Sequence, residues 1–321
     1  MDLVRDVFGD SSDASDSDAD GAGAADADAR CAREAYGRPP VSFLAAAGRW
    51  RRTLPLRDRA RGATLARGVL TDDAMAWLLR AIASDGLIDS AAAAAAGAAT
   101  GAPRRNQAMR FGDFPPWAAV LSERVEALAR REGARGDDDD DDRRLMTSAA
   151  ASSHPAPMFD QMILNSYLPG EGLRAHVDLD AFDDGVVVAS LESAIMMDFY
   201  PPPPPDPAPA PDPNPNPNTN DDDATGDIPG GDGDVPGDAT RRARGKRDDD
   251  DVPIQVWLQP GDVLFLCEDA RWTWRHGIAA RSHDVLVSED GESARRVERG
   301  HRTSVTLRKM RHDAHELRVA A

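Results

Sequence analysis

Large apolar side chains recur along this chain in two different rhythms. Met75, Leu78, Leu79 and Ile82 form one series, and Trp117, Val120, Leu121, Val125 and Leu128 form another. Their spacing of three to four residues brings side chains onto one face of an α-helix. Thr71-Asp72-Asp73 precedes the first series and supplies an oxygen that can accept from the unpaired N–H groups of a first helical turn. Pro115-Pro116 precedes the second. From Phe159 the rhythm shortens. Runs at 162–164, 186–188, 195–200, 254–258, 263–267 and 303–307 are rich in β-branched and aromatic residues, with Gly, Pro and Asp between them. Many short strands without intervening helices predict a sandwich or barrel, braced by the two helices.

Several stretches fit neither rhythm. Residues 1–40 repeat Asp, Ser and Ala with few large apolar side chains, too few to offset chain entropy. They read as a disordered acidic tail. Ala and Gly fill 91–102, a variable loop. Residues 133–157 carry a run of six aspartates and then Ser, Ala and Pro, an acidic linker. Residues 201–252 hold 13 of the 24 prolines and end in consecutive aspartates, the composition of a disordered surface insertion between two strands. This gives a helical extension over 41–132, a β domain over 158–311 interrupted by that insertion, and a C-terminal tail over 312–321.

Charge follows the same division. The formal net charge is −18. Residues 1–30, 137–142 and 201–252 contain 28 of the 56 acidic residues but only 7 of the 38 basic ones, so 28 acids face 31 bases elsewhere. The acidic balance therefore does not exclude a polyanionic partner for the β domain. The basic patch at 241–247 reads as a solvated loop segment or a nuclear address. No run of 18 apolar residues is present, and the acidic N-terminus has neither a secretory nor a transit pattern. Cys31 and Cys267 are too few for a disulfide framework or a four-thiolate zinc site. The default expectation from these features is a reduced cytoplasmic or nuclear setting.

The stretch FDQMILNSYLPGEGLRAHVD ends in His176-Val177-Asp178. In an extended strand, residues two apart share a face, so this imidazole and carboxylate can hold one metal ion. They form two legs of a 2-His-1-carboxylate triad that leaves positions open on Fe(II). The third leg must be a distant histidine. His276, in ARWTWRHGI, follows a predicted strand, whereas His154, His283, His301, His312 and His315 lie in polar, linker-like or terminal surroundings. Iron chemistry of this type uses 2-oxoglutarate, whose far carboxylate suits the fork of a fixed arginine. In HRTSVTLR, Arg302, Ser304, Thr306 and Arg308 share one strand face. Taken alone, that segment reads as an amphipathic edge strand with solvated arginines.

In order, the motifs N-x-Y-x-P-G-x-G from Asn165, H-x-D from His176, H-G-I from His276 and R-x-S-x-T-x-R from Arg302 resemble the AlkB family of Fe(II)/2-oxoglutarate dioxygenases. FDQ and ARWTWRHGI resemble its eukaryotic branch, which includes a tRNA wobble-uridine hydroxylase. The resemblance implies a double-stranded β-helix, or jelly roll, and so an α+β, mainly β fold. It implies Fe(2+) held by His176, Asp178 and His276. It implies 2-oxoglutarate held by Asn165, Tyr167, Arg302 and Ser304, with Arg308 near the chelating end and O2 as the oxidant. Ser304 stands where the bacterial pattern has Asn. The implied reaction couples decarboxylation of 2-oxoglutarate to succinate with hydroxylation of a C–H bond. A hydroxylated N-methyl group would leave as formaldehyde.

The resemblance also implies a nucleotide lid before the jelly roll, here RRNQAMRFGDFPPW at 104–117. There Arg104, Arg105 and Arg110 can meet phosphates, and Asn106 and Gln107 can read a base edge. Met109, Phe111 and Trp117 can stack or pack. Asp180 can reach an exocyclic amine, and Trp272 and Trp274 can wall the pocket. The expected partner is a single-stranded or flipped-out nucleic-acid base. Two alternatives stay open: the same chemistry on a protein side chain or small molecule, and a non-catalytic acidic scaffold. The oligomeric state is not legible in the sequence.

Overall fold

A computed structural model describes residues 31, 34–46, 49, 51–53, 55–56, 59–89, 93, 104–133, 145–146, 157–203, 252–288 and 291–311. The expected tail over 1–30, most of the 91–102 loop, most of the acidic linker, residues 204–251 of the insertion and the tail over 312–321 lie outside the described residues.

The elements run β1 (Arg51–Thr53), β2 (Ala63–Arg67), α1 (Asp72–Asp85), β3 (Gln107–Phe111), α2 (Pro116–Gly133), β4 (Gln161–Tyr167), β5 (Leu173–His176), β6 (Val186–Glu192), β7 (Ile195–Tyr200), β8 (Ile254–Leu258), β9 (Val263–Leu266), α3 (Glu268–Trp272), β10 (Arg275–Ile278), β11 (His283–Val287), β12 (Ala294–Glu298) and β13 (Arg302–Arg308). A seven-stranded sheet has the order β1-β2-β9-β6-β13-β4-β3, a four-stranded sheet the order β5-β10-β7-β8, and β11 and β12 form a hairpin. The pairings are antiparallel. This is the jelly-roll arrangement of two facing sheets.

Strand alternation sorts the side chains into two cores. On β6, Val187, Ala189 and Leu191 join the helix-side cluster, as do Val263 and Phe265 of β9 and Val305 and Leu307 of β13. The alternate residues Val186, Val188, Leu264 and Leu266 join Met197 and Phe199 of β7, Val256 of β8 and Ile278 of β10 between the sheets. The inward positions of β13 are Arg302, Ser304, Thr306 and Arg308, all buried. This strand lies between β4 and β6, so it is a central strand and not an edge.

Helix α1 begins where its sequence dictates: the Thr71 hydroxyl accepts from the Ala74 amide at 3.2 Å, and Gly86 ends it in the left-handed region at φ 62°. Its buried stripe is Ala74, Trp77, Leu78, Ala81 and Ile82. Met75 and Leu79 are only half-buried against that core, because Trp77 turns the buried face toward itself. On α2, Trp117, Leu121, Val125 and Leu128 are buried as the spacing predicts. Trp117 donates its indole N–H to Asp85 of α1. Truncating such a core tryptophan costs about 3–5 kcal/mol.

Two expectations need correction. Tyr36, assigned to the tail, is buried edge-on against Trp77 with ring centroids 5.5 Å apart. Leu145 and Met146, assigned to the solvated linker, are buried in the helix-side core. In both places isolated large side chains within polar sequence find apolar partners. The lid-like segment forms β3, an edge strand paired with β4 from Gln107↔Asn165 to Phe111↔Gln161, and Trp117 is core.

Candidate metal centre and adjoining cavity

The β5–β10 pair sets His176 directly opposite His276. Both imidazoles face the space between the sheets, with ring centroids 4.7 Å apart. Asp178, two residues beyond His176, turns its Oδ2 toward His276 Nε2 at 3.6 Å. That is too long for a hydrogen bond. His176 Nδ1 lies 2.9 Å from the Arg174 carbonyl; donating there leaves Nε2 with a free lone pair. Burial pushes His276 down to about 4, against the opposing pull of Asp178, so the ring is neutral near pH 7. Burial opposes the charge on Asp178, yet Arg308, His276 and Arg271 hold its carboxyl below the usual range.

Neutral imidazoles and an ionised carboxylate are the protonation states a divalent metal requires. Asp178 Oδ2 and His276 Nδ1 are buried without a hydrogen-bond partner among the described residues. Among the described residues no three such side chains already stand around one closed metal position. The three are gathered rather than closed, and Arg308 ion-pairs with Asp178 Oδ1. The donor set fits one Fe(II) with open positions.

The same side chains line a narrow cavity together with Asn165, Tyr167, Leu173, Arg302, Ser304 and Thr306. Register explains the grouping: Arg302 lies opposite Tyr167, and Ser304 opposite Asn165. Arg302 is buried. Its guanidinium donates to Ser304 Oγ at 3.0 Å and Ser190 Oγ at 3.2 Å, and packs 5.6 Å from the Tyr167 ring centre. Burial pushes its pKa down to about 10, and its Nε has no partner. No carboxylate pairs with it among the described residues. A buried cation in that state is costly unless an anion joins it, so the cavity fits a dicarboxylate.

Two supporting groups escaped the sequence reading. Arg271 is buried and donates to the carbonyls of Asp178 at 3.1 Å, Leu179 at 2.7 Å and Phe182 at 2.8 Å. It fastens the loop that carries Asp178. His301 is no terminal polar residue. Its Nε2 lies 2.7 Å from Ser166 Oγ and its Nδ1 2.8 Å from Glu192 Oε2. Arg104 joins this network through Ser166 Oγ at 2.7 Å and an ion pair with Glu171. The available signal for His301 was its place abutting the terminal motif; Arg271 had none.

The predicted substrate contacts are not gathered into the cavity. Arg104 is committed to Glu171, which removes it as a phosphate contact. Arg105 bonds Asp89 and the Gly86 carbonyl. Gln107 donates to Asn165 Oδ1 at 2.8 Å, so it braces a cavity residue. Asn106, Arg110 and Asp180 are exposed. Trp272 is 37% exposed, its ring under the Arg271 guanidinium at 4.2 Å, whereas Trp274 is buried in the inter-sheet core.

Comparisons with known proteins give the family. The family model described as 2OG-Fe(II) oxygenase superfamily matches residues 62–308. The chain is 27% identical over 163 residues to the mouse (Mus musculus) protein named tRNA (carboxymethyluridine(34)-5-O)-methyltransferase ALKBH8, an alignment covering 47% of this chain and 18% of that protein. It is 24% identical over 160 residues to an uncharacterized protein of Acanthamoeba polyphaga mimivirus, covering 48% of this chain and 52% of the other. A solved structure of OsALKBH1 has 14% identity and a TM-score of 0.32, covering 61% of this chain and 66% of that one. The chain thus spans well under two thirds of these curated relatives. No helix among the described residues is long and apolar enough to cross a membrane. With most of its length matched by the family model, the chain belongs to the 2OG-Fe(II) oxygenase superfamily.

Proposed function

We propose that the protein oxidises a nucleic-acid base, by hydroxylation or N-demethylation, with His176, Asp178 and His276 holding Fe(II) and Arg302 anchoring 2-oxoglutarate. The observation that carries this reading is the cavity itself: two imidazoles and a carboxylate meet within it, and a buried guanidinium without a carboxylate partner faces it too. Fe(II) with 2-oxoglutarate and O2 supplies oxidative decarboxylation to succinate and delivers one oxygen atom to a C–H bond. The chain's own residues bind, orient and exclude water. Arg302 pairs with the far carboxylate of the cosubstrate, and Tyr167, Asn165 and Ser304 line its path. Arg308 lies near the chelating end and counters charge beside Asp178. Val186, Val188, Met197 and Ile278 keep the cavity dry. No side-chain base is required. A nucleic-acid substrate is supported by the tRNA activity for which the mouse relative is named. Asn106, Arg110, Asp180 and the exposed Trp272 are the proposed outer contacts.

The test is mass spectrometry of tRNA and methylated oligonucleotides after incubation of the full chain with Fe(II) and 2-oxoglutarate. We expect succinate together with a product shifted by one oxygen or by loss of a methyl group. His176→Ala or Asp178→Ala abolishes succinate while the far-ultraviolet circular dichroism persists; full activity in either variant refutes the metal assignment. Turnover with unchanged nucleic acids transfers the reading to the same chemistry on a protein side chain or small molecule.

A further inference from the structure

The outer face of the four-stranded sheet carries a groove that the proposed reaction does not use. Gly172, Ala175 and Gly277 are among its lining residues, and Arg174 and Tyr200 border it. It is shallow-walled because β5 and β10 approach too closely for side chains there. A Cβ on Gly277 would lie 2.8 Å from Ala175 Cα, and one on Gly172 would lie 2.3 Å from the Ile278 carbonyl oxygen. His276 lines the cavity, so its neighbour Arg275 on β10 points to the other face; Arg174 lines the groove itself, and both arginines are exposed.

The Arg275 guanidinium lies 5.5 Å from the Tyr200 ring centre, across the Arg275↔Tyr200 pair of β10 and β7. Neither Arg174 nor Arg275 has a carboxylate partner among the described residues. Arg281 adds a third guanidinium nearby, and its partner Asp284 is shared with Arg299. The carboxylate closest along the strand, Asp198, is buried and accepts from Gln255 Nε2 at 2.9 Å. The groove thus combines uncompensated cations with one accessible aromatic ring over a floor of backbone and small side chains.

We infer that this groove binds the phosphodiester backbone of a single-stranded nucleic acid, with Arg174 and Arg275 on phosphates and Tyr200 against a base. Arginine neutralises phosphates and releases counterions, and an aromatic ring stacks any unpaired base. The inference rests on the nucleic-acid reading above and adds a contact outside the cavity. It predicts preference for a strand over a free nucleoside.

Fluorescence anisotropy of the full chain with labelled single-stranded RNA and DNA of mixed sequence, across a salt series, tests it. Arg174→Ala with Arg275→Ala weakens binding about tenfold at low salt and lowers the slope of log affinity against log salt by about 1–1.5. The double lysine variant keeps that slope. Tyr200→Ala weakens binding by about tenfold and Tyr200→Phe does not. Thermal unfolding of each variant confirms that it folds. Wild-type binding that these substitutions leave unchanged overturns the groove alone. A wild type that binds neither RNA nor DNA overturns the nucleic-acid reading and the groove with it.

Discussion

Arg302 concentrates the energetic argument for the site in one side chain. It is buried, its guanidinium bonded among the described residues to two serine hydroxyls, and lies against an aromatic face. Arg299 offers the contrast: equally deep, it donates to both oxygens of Asp284 at 2.7 Å. One buried arginine has its carboxylate within the protein, and the other is proposed to receive it from 2-oxoglutarate. Arg302→Met should therefore raise the 2-oxoglutarate KM about 10–100-fold, the loss of a charge-assisted bond of about 1.5–3 kcal/mol. The same change removes an uncompensated buried charge, so the unfolding midpoint should hold or rise. Titrating succinate release against 2-oxoglutarate, alongside a thermal melt, reads both. A melting temperature that falls with KM would instead show that Arg302 is structural. Arg302 was visible in the sequence because period-2 spacing announces a strand face. Arg271 was not, because its partners are main-chain carbonyls about 90 residues earlier, which no side-chain pattern encodes.

The strands rich in Val, Ile and Phe were legible, and β2, β3 and the β11–β12 hairpin were not. ATLAR, QAMRF and ARRVE lack the β-branched density of a strand, and their pairing partners decide their state. At this scale Gly277 does most to align the site. A methyl group there meets the Ala175 backbone, so Gly277→Ala should part β5 from β10 and separate His276 from His176. We expect a loss of about 1–3 kcal/mol in urea unfolding and weaker Fe(II) binding by titration; unchanged iron affinity would show that the strands tolerate the spread. The β11–β12 hairpin is anchored by Asp284, which accepts from Arg299, Arg281 and the Met196 amide. Burial alone would raise its pKa, but Arg299 and these bonds hold it below the usual carboxylate range. A depressed folded pKa stabilises the fold above the unfolded value of about 4 and is lost as pH falls through the folded one. Asp284→Asn should cost about 3–5 kcal/mol near pH 7, with the gap to wild type narrowing in acid. A gap independent of pH would reject the ion pair as its source.

Across the whole molecule, the sequence set the β domain apart from its acidic segments, and the pairing of strands explains how a long insertion coexists with a small candidate metal site. β7 and β8 pair directly from Ile195↔Leu258 to Phe199↔Ile254, so the 201–252 segment joins two neighbours in one sheet. Phe199 also pairs with His276 on its other side. The position of the second imidazole is therefore set by strands whose register closes before the proline run begins. The sequence exposed this because prolines and aspartates mark where a sheet cannot continue; it hid Tyr36, Leu145 and Met146, whose burial depends on surfaces made by distant helices. Replacing residues 204–250 with a short glycine-rich turn should leave succinate formation intact. Shortening a connection of about 50 residues to about 6 reduces loop-closure entropy by about 2 kcal/mol, so the melting temperature should rise. Measured together, turnover and melting separate the cases: a more stable and active protein identifies the insertion as a passenger on the hairpin, whereas lost turnover in a folded protein would make it part of the catalytic apparatus.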